Sequence, residues 1–598
     1  MVHIGEKTVD GLRELAESVS CGSLDIKEGA CIRPVNGKLL TLTVDGRVMK
    51  PAPGKYSGDV VLTLTDGFDL PPGTLFRGPI PVRTAVCVDG NQIDDSRSVL
   101  TAVREGEFSS GLLKNALIDI NEDDFNGIIV TGSGEYRVDD CKITMNGDAD
   151  NDFIGKGAGI TALGSSKLTV NRADIEINGI TRCAVHVGEE ASAIINDSEI
   201  NVVSGSTDRM QPAWMLGLRG YNRATQLCDY GTATYNNCRI RSNGWGVMSV
   251  DGAVRCRMYL KDCDLELTDP PARGYGVFSI GDCIIYMDGC KMHVNGYPIL
   301  MNADPGGGVE VSNGCVFRSG VFGALIFKDD GGLLRITDSD IISEKSTFVI
   351  KGSNTTIDVT NSRLCPGNGV ILQMMDTDDP GMFSSAFKVP VGIADEPEEG
   401  RDLTAADPHK DIFLRLRSME AEGDIFNSTS NIRAYKNKVN DGGPTLFTGA
   451  LAKSVVGPEG EGPDDGNGPP PMDFEREDEL QGAKNLDVLL DNARLTGTIS
   501  AAVQQYSEGV EIINTANNEE LCNITQHAAP AVNNGVIVTL SGGSVWTVKG
   551  RCYISKLVIG EGSEIRPMPG QELTMTVFGV KTPVRPGTYE GKVFLVSE

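Results

Sequence analysis

The chain is poor in aromatic residues, 6% of its 598, and holds only 5 His and 3 Trp. No run of about 18 apolar residues occurs, so no membrane-spanning helix is expected. The opening Met1-Val2-His3-Ile4-Gly5-Glu6-Lys7 lacks a basic region followed by an apolar run and does not read as a signal peptide. The expected location is cytoplasmic, or outside the cell if a leader has been removed. Positive charge is scarce as well. Lys and Arg number 54 against 82 Asp and Glu, a formal charge of −28. Such a surface repels nucleic acid, anionic lipid and polyanionic sugars unless a cation intervenes. The 15 Cys form no CxxC pair and no metal-ligand spacing, which favours free, buried thiols over a disulfide framework. Phosphate loop, dinucleotide fingerprint, serine elbow and zinc motif are all missing, so no cofactor is expected.

What is abundant is glycine, 72 residues, and a short repeat. A small residue, a variable one and a large apolar one recur at Ala116/Ile118, Cys141/Ile143, Ala173/Ile175, Ser198/Ile200, Cys238/Ile240 and Cys263/Leu265. The series continues with Cys290/Met292, Cys315/Phe317, Ser339/Ile341 and Ser362/Leu364. An Asn or Asp stands one or two places earlier, as at Asp140, Asn196, Asn237, Asp262, Asp288, Asn313, Asp338 and Asn361. Alternation of this kind means strand, with both named residues on one face. A recurrence near 25 residues is one turn of a solenoid, whose stacking places each small residue above its equivalent. Asn and Asp suit the bend between two strands because they tolerate unusual φ and bond to backbone. The cysteines of the ladder then read as small buried hydrophobes rather than ligands. Over roughly residues 100–370 the pattern resembles the right-handed parallel β-helix of the pectin-lyase-like superfamily. The resemblance implies a fold and not an activity, because that architecture carries lyases, hydrolases, isomerases, adhesins and phage spikes.

A second repeat joins the two ends. Residues 24–62 and 557–595 align without a gap and share 19 of 39 positions, among them Ile32-Arg33-Pro34/Ile565-Arg566-Pro567 and Tyr56/Tyr589. Each copy reads as strand, turn, strand, Pro-Gly turn, strand. Two such copies would close the open sheet edges of a solenoid, which otherwise invite association. The expected organisation is all-β: an N-terminal β-module over 1–99, β-helix over 100–375, a loop-rich acidic insertion over 376–485, last turns over 486–556 and a C-terminal β-module over 557–598. Within the insertion, Ile412-x-Leu414-x-Leu416 hints at one short strand, and the ladder resumes at Ala493/Leu495.

One strand of each turn differs from the rest, being apolar at nearly every position: Ala184–Val187, Trp214–Arg219, Trp245–Asp251, Tyr275–Asp282, Tyr297–Asn302, Gly323–Asp330 and Gly369–Asp376. Something is expected to cover its outer face, where Met248, Phe278, Leu300 and Leu325 would otherwise meet water. Ionisable and aromatic residues at its margin make the candidate site. Asp251 and Asp282 would split acid and base roles, with His186 and Tyr275 beside them and Arg219 or Lys328 steadying a developing anion. Trp214, Arg223, Trp245, Tyr297 and Asp376 would contact substrate. Trp245 and Tyr275 are expected in neighbouring turns. Two acidic stretches, Asp376-Thr377-Asp378-Asp379 and Asn146-Gly147-Asp148-Ala149-Asp150-Asn151-Asp152, read as loops more readily than as Ca²⁺ sites. The pectate-lyase Trp-Ile-Asp-His signature and the polygalacturonase set of paired Asp, Gly-His-Gly and Arg-Ile-Lys are both missing, which disfavours those two activities. The leading expectation is a metal-independent lyase, isomerase or hydrolase acting on a neutral sugar or a phenolic glycoside. The alternative is a non-catalytic, adhesin-like or structural binding solenoid. A small-molecule or oligosaccharide ligand is expected, with no nucleic acid and no membrane, and homo-oligomers are an open option.

Overall fold

A computed structural model describes residues 2–71, 79–203, 222–250, 254–268, 274–327, 331–375, 378, 386–388, 411–429, 484–510, 512–514, 517–531 and 534–598. The chain forms two compact units, one carrying the described residues up to 268 and the other those from 274. Both are all-β and built from long, mainly parallel sheets, the construction of a β-solenoid.

In the first unit the ladder is a physical row. Ile118 stands opposite Ile143, Ile143 opposite Ile175, Ile175 opposite Ile200, Ile200 opposite Ile240 and Ile240 opposite Leu265, all in parallel register. All six side chains are inaccessible to water. The second unit repeats the row as Met292, Phe317, Ile341 and Leu364. Each fully buried aliphatic side chain contributes about 1.5–3 kcal/mol, so such a row is a principal source of cohesion between turns.

The small residues serve the turn. Ser198 Oγ accepts from the backbone N–H of Ala173 at 3.1 Å, the residue it stacks upon one turn earlier. Cys315 Sγ does the same for Cys290 at 3.1 Å, Ser362 Oγ for Ser339 at 3.1 Å and Ser544 Oγ for Ala493 at 3.0 Å. A larger side chain would collide with that neighbouring backbone. The bends precede these residues and carry positive φ at Asp140, Asp197, Asn237, Asp262, Asn313, Asp338, Asn361 and Asn492. Asn and Asp populate that region at small cost because their side chains bond locally. Cys141, Cys238, Cys263, Cys290 and Cys315 are all buried, and burial pushes the Cys141 thiol up to about 11.

The expected insertion is interrupted by solenoid. Residues Ile412–Arg417 pair in parallel with Thr356–Thr360 on one side and Leu486–Asp491 on the other, and Asp424–Asn427 pairs with Val370–Met374 and Ile499–Tyr506. Residues 411–429 are therefore a full turn and not a lone strand. The turn hid because its Met419/Ala421 reverses the small-then-large order. The rest of 376–485, apart from Asp378, Ala386–Lys388 and residues 484–485, lies outside the described residues.

The duplicated modules agree in detail. Val19–Ile26 runs antiparallel to Gly54–Thr65 with a bulge between Cys21 and Ser23. Arg551–Ile559 runs antiparallel to Gly587–Ser597 with its bulge at the equivalent Ile554/Lys556. Tyr56 Oη donates to the Ala52 carbonyl at 2.8 Å and accepts its N–H at 3.1 Å. Tyr589 Oη treats Arg585 the same way, at 2.9 and 3.3 Å.

Candidate functional site

In the first unit the column of apolar strands is Ile160–Ala162, Val185–Val187, Arg223–Leu227 and Gly246–Val250, in parallel register. Its two faces differ. Thr161, His186, Gln226 and Ser249 form one row, and all four are buried. The row is covered by residues 147–158 of the same unit, which take in most of the acidic stretch Asn146–Asp152 that the sequence presents as a plain loop. Met248 belongs to the other row, opposite Thr225, so it points into the solenoid and not outwards as expected.

The cover is held by ionic and cation–π contacts. Arg223 Nε donates to Asp152 Oδ2 at 2.7 Å and Nη2 to Oδ1 at 3.2 Å, with side-chain exposures of 1% and 0%. Arg223 also donates to Ser249 Oγ at 3.3 Å, and its guanidinium lies 4.3 Å from the Phe153 ring centroid and 5.2 Å from that of Trp245. His186 Nε2 donates to the Phe153 carbonyl at 3.0 Å, which fixes the tautomer and leaves Nδ1 unprotonated. Burial lowers the His186 pKa, so the ring is neutral at ordinary pH. Arg182 donates to the carbonyls of Gly157, Gly147 and Phe125 and binds the two ends of the loop to the sheet. Its burial brings its pKa down to about 10.

In the second unit Tyr275 lies opposite Tyr297, and both are buried. Tyr297 stacks on Phe322 at 5.9 Å and Tyr275 tilts against Phe278 at 5.3 Å. Phe278, Leu300, Leu325, Val349 and Gln373 make one row. Gln373 Nε2 donates to the Cys522 carbonyl at 2.7 Å, so residues around Cys522 cover the row at that end. Asp378 completes this cover. It pairs with Lys351 at 2.5 Å and accepts from Tyr506 Oη at 3.0 Å and the Cys522 N–H at 2.7 Å. From the sequence, Asp378 was one carboxylate in a turn; in the structure it is fully buried. Nothing in the local sequence marks Lys351, Tyr506 or Cys522 as its partners.

Of the candidates, His186, Arg223 and Trp245 come together in the first unit, and Tyr275 and Tyr297 in the second. Asp282 is half-buried in the second unit. Trp214, Arg219, Asp251, Lys328 and Asp376 lie outside the described residues, and so do the acid pair and the oxyanion role that involve them. Among the described residues no group of three or more His, Cys, Asp or Glu is placed to hold a metal ion. No helix among them is long and apolar enough to cross a membrane.

An open concavity lies elsewhere, on the ladder side of the second unit. Between the paired positions Thr360/Arg417 and Val370/Asp424, one turn uses nine residues, 361–369, and the next uses six, 418–423. The shorter connection cannot follow the longer one. Strand Arg363–Pro366 pairs back to Asp340–Ser343 and strand Glu420–Glu422 pairs forward to Arg494–Gly497, while no ladder joins the two to each other among the described residues. The parting leaves an open groove of about 600 Å³ lined by Asp338, Asp340, Asn361, Arg363, Glu420, Asn492 and Arg494, with Ser339, Ser362, Ser418 and Met419. Two of its three carboxylates are matched by guanidinium groups, Asp340 by Arg363 at 2.5 Å and Glu420 by Arg494 at 3.7 Å, while Asp338 accepts from Asn361, which leaves one net negative charge.

Compared with known proteins, the chain matches no protein-family model and no curated protein.

Proposed function

We propose that the chain is a non-catalytic binding solenoid of the pectin-lyase-like, right-handed type, and that the groove between Arg363–Pro366 and Glu420–Glu422 takes a neutral, hydroxyl-rich ligand such as an oligosaccharide. The observation that carries this reading is the groove itself. It is open, close to charge-balanced and lined by amide, carboxylate, guanidinium and hydroxyl groups, the donors and acceptors that match sugar hydroxyls. The formal charge of −28 on the chain as a whole discourages polyanions. The groove's own ion pairs lie at the surface, where a ligand can exchange with them, whereas the polar groups of the strand column are buried. Arg223 is bound bidentately and His186 by its only N–H, both behind packed loop.

Calorimetric titration of the full chain with a maltodextrin and a xylo-oligosaccharide tests the reading. Arg363→Ala and Arg494→Ala should each weaken binding about tenfold, the loss of roughly 1.4 kcal/mol of interaction. Unchanged affinity in both variants would remove the groove from consideration. The acid–base alternative rests on Asp282, the half-buried rim carboxylate. Turnover of a neutral or phenolic glycoside that disappears in Asp282→Asn, with stability intact, would establish that alternative in its place.

A further inference from the structure

The two copies of the terminal module differ in one respect that bears on assembly. In the N-terminal copy the hairpin Leu39–Val44 and Arg47–Met49 does not end the sheet. Arg47, Val48 and Met49 pair in parallel with Asp119, Ile120 and Asn121, the first solenoid strand beyond the module. Val48 is completely buried there, and Arg47 Nε meets Asp119 at 2.9 Å. In the C-terminal copy the equivalent hairpin is Leu573–Val577 and Val580–Lys581, with the same two-residue turn: φ is 48° and 76° at Asp45-Gly46, and 49° and 79° at Phe578-Gly579. Among the described residues Val580–Lys581 pairs with nothing further. Phe578 is 66% exposed and Val580 69%, where the other copy carries Asp45 and Arg47.

The free backbone is oriented for pairing. Val577 and Val580 close the turn as a hydrogen-bonded pair, so at the next pair, Thr576/Lys581, the N–H and C=O of Lys581 point to the open side. The opposite end of the chain has a matching feature. Strand Val2–Val9 pairs with Val19–Ile26 and, among the described residues, with no other strand. Its counterpart in the C-terminal copy, Val536–Ser541, has a parallel neighbour on both sides, Leu486–Asp491 and Arg551–Ile559. Each end thus lacks a parallel strand at a place where the other copy has one.

We propose that these two edges are partners: the Val580–Lys581 edge of one copy of this chain receives the Val2–Val9 edge of a second copy, in parallel, as Arg47–Met49 receives Asp119–Asn121. The contact is strand addition with an apolar anchor, and exposed large hydrophobics beside a free edge are the expected mark of it. Because the two surfaces differ, the contact is head-to-tail, and copies add in an open series or close into a ring. Lys581 occupies the position of buried Val48 and places an ammonium on the edge. An edge lysine discourages unspecific pairing, so a partner that docks there has to answer its charge. Self-repulsion at −28 opposes the contact at low ionic strength, and salt should promote it. The inference does not depend on what the groove binds.

Sedimentation velocity of the full chain across concentration at low and moderate salt is the test. Species at multiples of 63.7 kDa are expected, their proportion rising with concentration and salt. The variant Lys581→Pro removes the outward N–H on which the contact depends, at a position that pairs with no further strand among the described residues, so it should fold with an unchanged melting temperature. Alone it should sediment as a monomer. Fluorescently labelled and mixed with the unmodified chain, it should enter the assemblies, since its Val2–Val9 edge is intact, and shorten them. A chain that stays monomeric throughout overturns the proposal. Assemblies that exclude the labelled variant indicate tail-to-tail pairing and overturn it too, as do assemblies that the variant forms unaided. None of these results touches the binding reading, which is judged by titration.

Discussion

At the scale of single residues, what the chain buries is more informative than what it displays. His186 sits on the polar row of the strand column with Nε2–H given to Phe153 and Nδ1 buried without an acceptor or donor among the described residues. Protonating it would place a charge in a site closed to water. The folded-state pKa is lowered from 6.5, chiefly by burial, so the unfolded chain takes up a proton first as the pH falls. Stability should therefore be complete above about 6.5 and decline below it until the folded-state value is reached. His186→Gln keeps a donor for the Phe153 carbonyl and removes the titration. Urea melts at pH 5 and pH 7.5 should differ by less in the variant than in the parent, and an equal difference would assign the pH dependence elsewhere. Small residues of the ladder were legible in the sequence because their role is steric and repeats every turn. The partners of Asp152 and Asp378 were not, since Arg223, Lys351 and Cys522 are 71, 27 and 144 residues distant along the chain and share no period with them.

Among the elements, the solenoid turns follow from alternation, and the departures come where turn length changes. Loop 147–158 looks like a solvated acidic loop because Asp148, Asp150 and Asp152 are read as equals. In the structure Asp152 is wholly buried against Arg223, while Asp150 holds buried Lys156 at 2.8 Å. The Asp152–Arg223 pair fastens the loop over the column. Removing one partner leaves the other charged and dry, a loss of about 3–5 kcal/mol, whereas removing both costs less than the two single losses together. Arg223→Met and Asp152→Leu should each lower the urea midpoint sharply, and the double variant should recover part of it. Additive losses would mean that the two side chains do not act as a pair. The groove is a second departure. Its origin, nine residues giving way to six, was hidden in the sequence by the reversed Met419/Ala421 and by acid-rich stretches on both sides.

For the whole molecule, composition set useful bounds. Few aromatics, much glycine and a strong negative charge point to stacked short strands that avoid polyanions, and the all-β parallel architecture agrees with the first part of that reading. Duplication of the ends was visible as identities, but only the paired strands show that the copies share register, bulge and tyrosine clamp while meeting different neighbours. What stayed beyond the sequence is which surface is free to act. A strand column apolar by sequence suggested a pocket. The described part of it is packed and buried, and an open groove lies where two turns of unequal length part. Hydrogen–deuterium exchange of the full chain, with and without a saturating maltodextrin, tests that contrast most directly. New protection confined to 338–341, 361–364, 418–421 and 492–495 is predicted. Protection appearing instead at 185–187, 223–227 and 246–250 would contradict it and return function to the strand column.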